Sequence, residues 1–406
     1  MTSSKRRLIH IVAFDVPYPA DYGGVIDIFY KIKAIYDEGF DIKLHIYYYG
    51  RKHSKSELRK YCLEVNYYPR KIYKNPFVGS KPYIVNSRNS DALLKNLQKD
   101  NAPILFEGLH CTYYLNDPSL SNRFKLVRTH NIEHHYYKHL ENSEFRYFKK
   151  YFFRIEAEKL KKYEAILKHA DKIAAISRND FKYFNKKFGK TLYVPAFHTN
   201  TSTDNPGKKG NYILYHGNLS VPENYTAAIE LIKNVFSKIK TPSIIAGNNP
   251  PKELISLCNK FDNISLKSNL STNEIHTLIK EAHINVLYTN QNTGIKLKLL
   301  NALYLGKFSI VNPLIVDGSG LEDMCIISYN FEDMIKSINE FMHKDYDNDY
   351  YIKRKKILEE KFNNQNSIKY LINHIKFPGY QENNDAKSNK IRSTKRLLTF
   401  VFQLFT

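Results

Sequence analysis

A chain of 406 residues with 42% hydrophobic and 25% charged residues exceeds one ordinary domain and is too apolar to be disordered. No unbroken apolar stretch reaches the about 20 residues of a membrane-spanning helix. Sixty-two Lys and Arg against 40 Asp and Glu leave a net charge of +22, which attracts phosphate-bearing partners.

Part of that charge is background, because Lys, Asn, Ile and Tyr are abundant together. Nucleic acid, an anionic membrane face and nucleotide diphosphates are the candidate partners; the motifs below favour the last two over nucleic acid. Cys62, Cys111, Cys258 and Cys325 have neither disulfide-framework nor zinc spacing, so a reduced, cytoplasmic protein is expected.

The N-terminal KRRLIHIVAF has a signal peptide's charge, but its apolar run is short, contains His10 and lacks a small-residue cleavage site. It reads as a first buried strand over 8–14. Further apolar runs at 42–49, 103–109, 125–130 and 172–177 alternate with helical patterns such as IDIFYKIKAIYDEG, which Gly39 stops. Residues 143–169 read as one long helix with a solvated basic face. A polar stretch over 196–211 then breaks the periodicity. A second series of runs follows at 211–217, 242–247, 264–268, 284–289, 308–313 and 325–329.

The pattern predicts an α/β protein of two doubly wound, Rossmann-like domains facing across a cleft. Their expected limits are 1–198 and 211–380, joined by a linker at 199–210. A tail over 381–406 carries five basic residues before LLTFVFQLF. It reads as an interfacial anchor that holds the protein peripherally at the inner membrane face.

Ligands of parallel sheets bind beyond the carboxyl ends of the strands, so residues after each run are the candidates. Gly23 and Gly24 open a helix after the first run and allow close approach of a phosphate or acceptor. Without GxGxxG, a dinucleotide site is not supported. His130 follows the fourth run, suited to bonding a sugar or phosphate, with Asn131 and Glu133 beside it. HExxH is absent, and the histidines here do not make a metal site. Glu107 and His110 are weaker candidates after the third run.

In the second half, Gly217 and Asn218 leave room for a ligand between strand and helix. Gly294 is expected to start a helix running to Gly306, with its amides and dipole aimed at the cleft. Lys298 and Asn301 would share a face with Gly294. Lys296 would point elsewhere or reach over the first turn. A helix N-terminus with such a lysine suits a diphosphate.

Five stretches, in order, carry a resemblance. They are P-x-P-x-D-x-GG from Pro17, R-x-HNIE-x-x-YY-x-x-L from Arg128, AAISRND from Ala174, HGNL-x-x-x-EN-x-x-A from His216 and G-x-K-x-K-x-L-x-AL-x-x-GK from Gly294. Together they cover most of the chain, which resembles a GT-B glycosyltransferase, in particular the retaining glycosyltransferase family 4.

The resemblance implies a nucleotide-diphosphate sugar in the C-terminal domain and acceptor contacts from the N-terminal domain. It assigns catalysis to His130 and Lys298. Donor binding would fall to Gly217, Asn218, Gly294, Lys296, Lys298 and Asn301. No cofactor or metal is required, and the acceptor would be a saccharide or lipid-linked saccharide of cell-surface polysaccharide or glycan synthesis. One departure stands out: relatives carry glutamate, bonded to the ribose, where this chain has Asn301, and another where it has Thr293 or Asn292. Two other readings share the features, a nucleotide-sugar epimerase of the same fold and a non-catalytic scaffold at a membrane.

Overall fold

Strands buried on both faces of a parallel sheet read as continuous apolar runs, and each of the eleven runs above is a strand in the computed structural model. The structure describes residues 6–51, 55–73, 75–144, 146–200, 203, 207–291 and 296–378. Gly294, Thr293 and Asn292, part of the linker and the 381–406 tail lie outside the described residues.

The first sheet holds β1 (Arg7–Ala13), β2 (Phe40–Tyr48), β3 (Glu64–Pro69), β4 (Ile104–Glu107), β5 (Lys125–Thr129), β6 (Lys172–Ala175) and β7 (Thr191–Tyr193). Its order is β3-β2-β1-β4-β5-β6-β7. The second holds β8 (Ile213–His216), β9 (Ser243–Gly247), β10 (Ile264–Ser268), β11 (Ile284–Leu287), β12 (Phe308–Val311) and β13 (Ile326–Ile327). Its order is β10-β9-β8-β11-β12-β13. The paired strands run parallel in both sheets. In each sheet the strand order reverses once, between β1 and β4 and between β8 and β11, and a crevice opens at such a switch point.

The two domains are stitched more than once. The backbone N–H of Arg178 donates to Gly318 O at 3.0 Å, and Asn179 Nδ2 donates to Asp317 Oδ1 at 3.0 Å. The helix Asn364–Ile372 crosses back to the first domain: Ile368, Leu371, Ile372 and Ile375 join the core built by Ile28, Ile32, Ile42 and Leu44. The domain read over 211–380 therefore gives its last stretch, from about Asn364, to its neighbour. Where the two chain crossings meet, Asn364 Nδ2 donates to His198 O at 2.8 Å and His198 Nε2 bonds Phe362 O at 2.7 Å.

The stretch 143–169 is not one helix. Helix Glu133–Ser143 ends first, helix Tyr147–Tyr163 follows beside it, and a 3₁₀ turn spans Glu164–His169. The break falls where Glu144 turns extended (φ −91°, ψ 129°). All four cysteines are free, and no helix among the described residues is long and apolar enough to cross a membrane.

Candidate functional site

At the first switch point, helix Gly23–Asp37 sends two charges into the apolar interior. Asp27 and Lys31 are fully buried at i, i+4, and Lys31 Nζ bonds Asp27 Oδ2 at 2.7 Å. The same ammonium bonds Glu107 at the end of β4, 2.9 Å from Oε1 and 3.0 Å from Oε2. Arg128 on β5 grips Asp27 with two bonds of 3.2 and 2.8 Å, and also donates to Pro195 O at 2.9 Å. Phe197 N donates to Asp27 Oδ1 at 2.9 Å. Buried charges persist only when paired and hydrogen-bonded, and here two acids meet two bases. Burial alone would raise the Asp27 carboxyl, but Arg128, Lys31 and His130 hold it well below the usual range.

His130 stands on this network. Its Nε2 lies 3.1 Å from Glu107 Oε2, so that nitrogen carries the donated proton, and Nδ1 is the acceptor whenever the ring is neutral. Asp27, Glu107 and His130 bring possible metal-ligand atoms within 4.8 Å of one another. Lys31 bonds both carboxylates and Arg128 bonds Asp27, however, so the two acids already meet two bases and no unbalanced charge is left for a cation.

Phe14, just past β1, packs 5.3 Å from the His130 ring and 5.3 Å from the His110 ring. A Cβ on Gly24 would lie 2.7 Å from Phe14 Cζ. This glycine makes room for an aromatic wall. Gly23 faces the second domain, where its Cβ would sit 3.9 Å from Leu297 Cδ1. Gly108 has φ +73°, and a side chain there would strike His110 Nδ1 at 2.7 Å, so glycine is required.

His110 Nε2 lies 3.7 Å from Glu133 Oε2. Burial, with Asp180 nearby, pushes the Glu133 carboxyl up to about 8; burial likewise raises Asp180 to about 7. Glu133 Oε1, His110 Nδ1 and Asp180 Oδ2 are buried without a hydrogen-bond partner. Asn131, next in sequence to His130, is half-buried.

At the second switch point, β8 ends in His216 and helix Pro222–Asn234 begins five residues after Gly217. The Asn218 side chain is spent on its own loop, accepting from Ser220 N and Oγ at 3.1 and 2.7 Å. Gly217 leaves the space that Asn224 fills, 3.1 Å from where a Cβ would be. The second helix at this point is described as Leu297–Leu305, capped by Lys296. Both helices turn their positive N-terminal ends toward the crevice.

Lys298 Nζ reaches Tyr288 O at 3.2 Å and Asn224 Oδ1 at 3.4 Å, 5.4 Å above the Tyr215 ring. Burial, opposed by Glu223 and reinforced by Lys296, brings its ammonium down to about 8. Lys296 bonds Glu223 Oε1 at 2.9 Å, and Thr289 Oγ1 donates to the same oxygen at 2.6 Å. Lys296 thus converges on the same loop as Lys298. Asn301 Oδ1 accepts from Asn200 Nδ2 of the linker at 2.9 Å.

Asp27, Lys31, Glu223, Asn224 and His216 were not singled out from the sequence. Opposite charges at i, i+4 inside an apolar helical stripe were a readable signal for the first two. His216, Glu223 and Asn224 stood within the HGNL and EN motif without a role. His216 Nε2 is buried and unpartnered, and burial next to Lys298 lowers its imidazole to about 3.

Two facing parallel sheets, each with its polar cluster at the switch point, match known structures over nearly the whole chain. Sucrose-phosphate synthase from Thermosynechococcus elongatus superposes with a TM-score of 0.60 at 14% identity, covering 98% of this chain and 100% of that one. TarM gives 0.61 at 11% identity, covering 92% and 99%. HepE of Anabaena, solved with UDP and glucose, gives 0.61 at 11% identity, covering 90% and 98%. The fold is GT-B.

By sequence, the chain is 28% identical over 330 residues to an uncharacterized 44.6 kDa protein in the cps region of Klebsiella pneumoniae. That match covers 77% of this chain and 84% of the relative. No protein-family model matches the chain.

Proposed function

We propose that the protein transfers a sugar from a nucleotide-diphosphate donor to a saccharide or lipid-linked saccharide hydroxyl. The observation that carries this reading is Lys298, a half-buried ammonium beside two helix N-termini at the switch point of the second domain. As the glycosidic bond breaks, the diphosphate gains negative charge, and preorganised cationic donors are the largest lever on that step. Lys298 and Lys296 supply them without a metal; Gly294 would add its amide.

The acceptor hydroxyl would bind against Phe14, His110 and His130, with His130 Nδ1 accepting its proton or bonding the transferred sugar. Retention suits a mechanism in which the leaving diphosphate helps deprotonate the acceptor. The likeness to a protein of a cps region supports a role in polysaccharide synthesis. The 381–406 tail would keep the protein at the inner membrane face; equal liposome binding with and without it would remove that part.

The test is a thermal-stability screen of nucleotide sugars followed by product analysis. A donor present at 100 times its Kd adds about 2.7 kcal/mol. Stabilisation followed by sugar transfer supports the reading. An altered free nucleotide sugar formed without acceptor would make the protein an epimerase, and no stabilisation by any donor would make it a scaffold.

A further inference from the structure

The first two turns of helix Tyr147–Tyr163 stand apart from the core that its later turns build. Ala157 and Leu160 are buried, and Phe152 and Phe153 half-buried against that core. Tyr147 and Phe148, by contrast, are 88% and 89% exposed. Tyr151, one turn on, is also exposed and packs tilted against Phe77, with ring centres 5.8 Å apart; Phe77 is exposed together with Val78. Lys159 Nζ donates to Pro76 O at 3.0 Å, tying that loop to the helix. Five large apolar side chains thus form one surface patch, where a soluble face would place polar groups.

Its charge is mostly basic, with Glu144, which accepts from Arg146 N at 3.0 Å, and exposed Glu158 at its two edges. Arg146, Lys149, Lys150 and Arg154 are exposed around the aromatics, and residues 146–155 contain no acid. Residues 70–81, which supply Phe77 and Val78, contain four basic residues and no acid either. Aromatic side chains framed by lysine and arginine suit the boundary between anionic headgroups and acyl chains. Val78 has no ring to stack on a base, which favours lipid over single-stranded nucleic acid. The 70–81 loop leaves β3 at the carboxyl edge of the sheet, the edge that carries His130.

We propose that this patch docks the first domain on an anionic lipid surface, turning the acceptor side of the cleft toward the membrane. The lipid docking is independent of the transferase reading, since it is measured without donor or acceptor; only the naming of the acceptor side rests on that reading. It also concerns a surface separate from the 381–406 tail.

The chain contains no tryptophan, so Phe148→Trp in the full-length protein gives a single emitter at the patch. Vesicles of phosphatidylcholine with phosphatidylglycerol should shift its emission to the blue, and brominated acyl chains should quench it. Pure phosphatidylcholine vesicles should do neither. Tyr329→Trp, at an exposed position of the second domain, should stay unchanged. Lys149→Ala with Lys150→Ala should weaken vesicle partition roughly thirty-fold, at about 1 kcal/mol per basic residue.

An unchanged Phe148→Trp spectrum while the protein sediments with anionic vesicles would overturn the proposal and leave binding to the tail. A blue shift that grows with protein concentration in the absence of vesicles would assign the patch to a second copy instead. A shift with single-stranded oligonucleotide but not with vesicles would assign it to nucleic acid. Equal responses at positions 148 and 329 would deny it a specific face.

Discussion

His130 Nε2 lies 3.1 Å from Glu107 Oε2, and Glu107 is held in turn by the buried Lys31 ammonium. The histidine is therefore oriented from behind by a carboxylate that cannot swing away, and its Nδ1 is the nitrogen left to accept a proton. A ring so supported acts by position as much as by basicity.

His130→Ala should lower turnover strongly while barely changing nucleotide binding, because the proposed nucleotide site lies in the other domain. Glu107→Gln can present an amide N–H to Nε2 and so reverse the tautomer, which should displace the pH profile of kcat. Steady-state kinetics and nucleotide titration separate the two effects. Unfolding of His130→Ala would instead make the histidine a structural member of the network.

Lys298→Ala should cost about 10²–10³ in kcat, the usual loss of one preorganised donor at a developing anion. Lys296→Ala should cost less, since Lys296 is already neutralised by Glu223 at 2.9 Å. Asn301→Glu should be tolerated or tighten donor binding, because a carboxylate can still accept from Asn200. Near-normal turnover of Lys298→Ala would sink the phosphate assignment.

The pH dependence of donor binding follows from Lys298, whose ammonium lies at about 8 against an ordinary 10.5. If the charged form binds the diphosphate as proposed, affinity should be flat below pH 7 and fall as pH rises past 8, with proton uptake on binding there. For folding the sign is opposite. The folded state releases this proton before the unfolded state does, so the Lys298 contribution to stability rises between pH 8 and 10.5. Calorimetry in buffers of different ionisation enthalpy measures the uptake; none above pH 8 would refute the assignment.

Glu133, raised to about 8, and Asp180, raised to about 7, give a second window. Both carboxyls stay protonated longer in the folded state than in the unfolded one. Their stability contribution is complete below the ordinary carboxylate range and is lost as pH climbs to 8, at up to ~1.4 kcal/mol per pH unit for each group. Glu133→Gln should flatten the stability profile between pH 5 and 8 in denaturant titrations. An unaltered slope would mean that the Glu133 carboxylate is solvated.

Lys31→Met should destabilise the fold by about 3–5 kcal/mol, the cost of leaving buried acids without their base. Adding Glu107→Gln to that variant should recover part of the loss, since it removes the surplus negative charge. Guanidinium denaturation of the two single variants and the double closes the cycle; strict additivity would deny the coupling.

The sheets were legible because their central strands are mostly apolar, from LIHIVAF to FSIV. β3 and β7 were missed, and both are edge strands. Paired on one side only, EVNYYP and the three-residue TLY need little apolar character. The candidate positions after β5 and β11 followed from strand ends alone. What stayed hidden depends on partners remote in sequence. Glu107 shows its role only once Lys31 and His130 stand beside it, and Gly24 also makes room for the Phe14 ring. Asn301, expected at a ribose, bonds Asn200 across 101 positions.

The return of helix Asn364–Ile372 to the first domain sets an order of events during synthesis. The first 198 residues leave the ribosome long before Ile368, Leu371 and Ile372 exist to cover helix Gly23–Asp37. Until they arrive, that apolar flank stays open to chaperones or to wrong partners, since domains ordinarily fold as they emerge. An early stop codon near 360 would therefore damage the oldest part of the molecule, and a fragment cut at 198 would be a half-clad core rather than an acceptor domain.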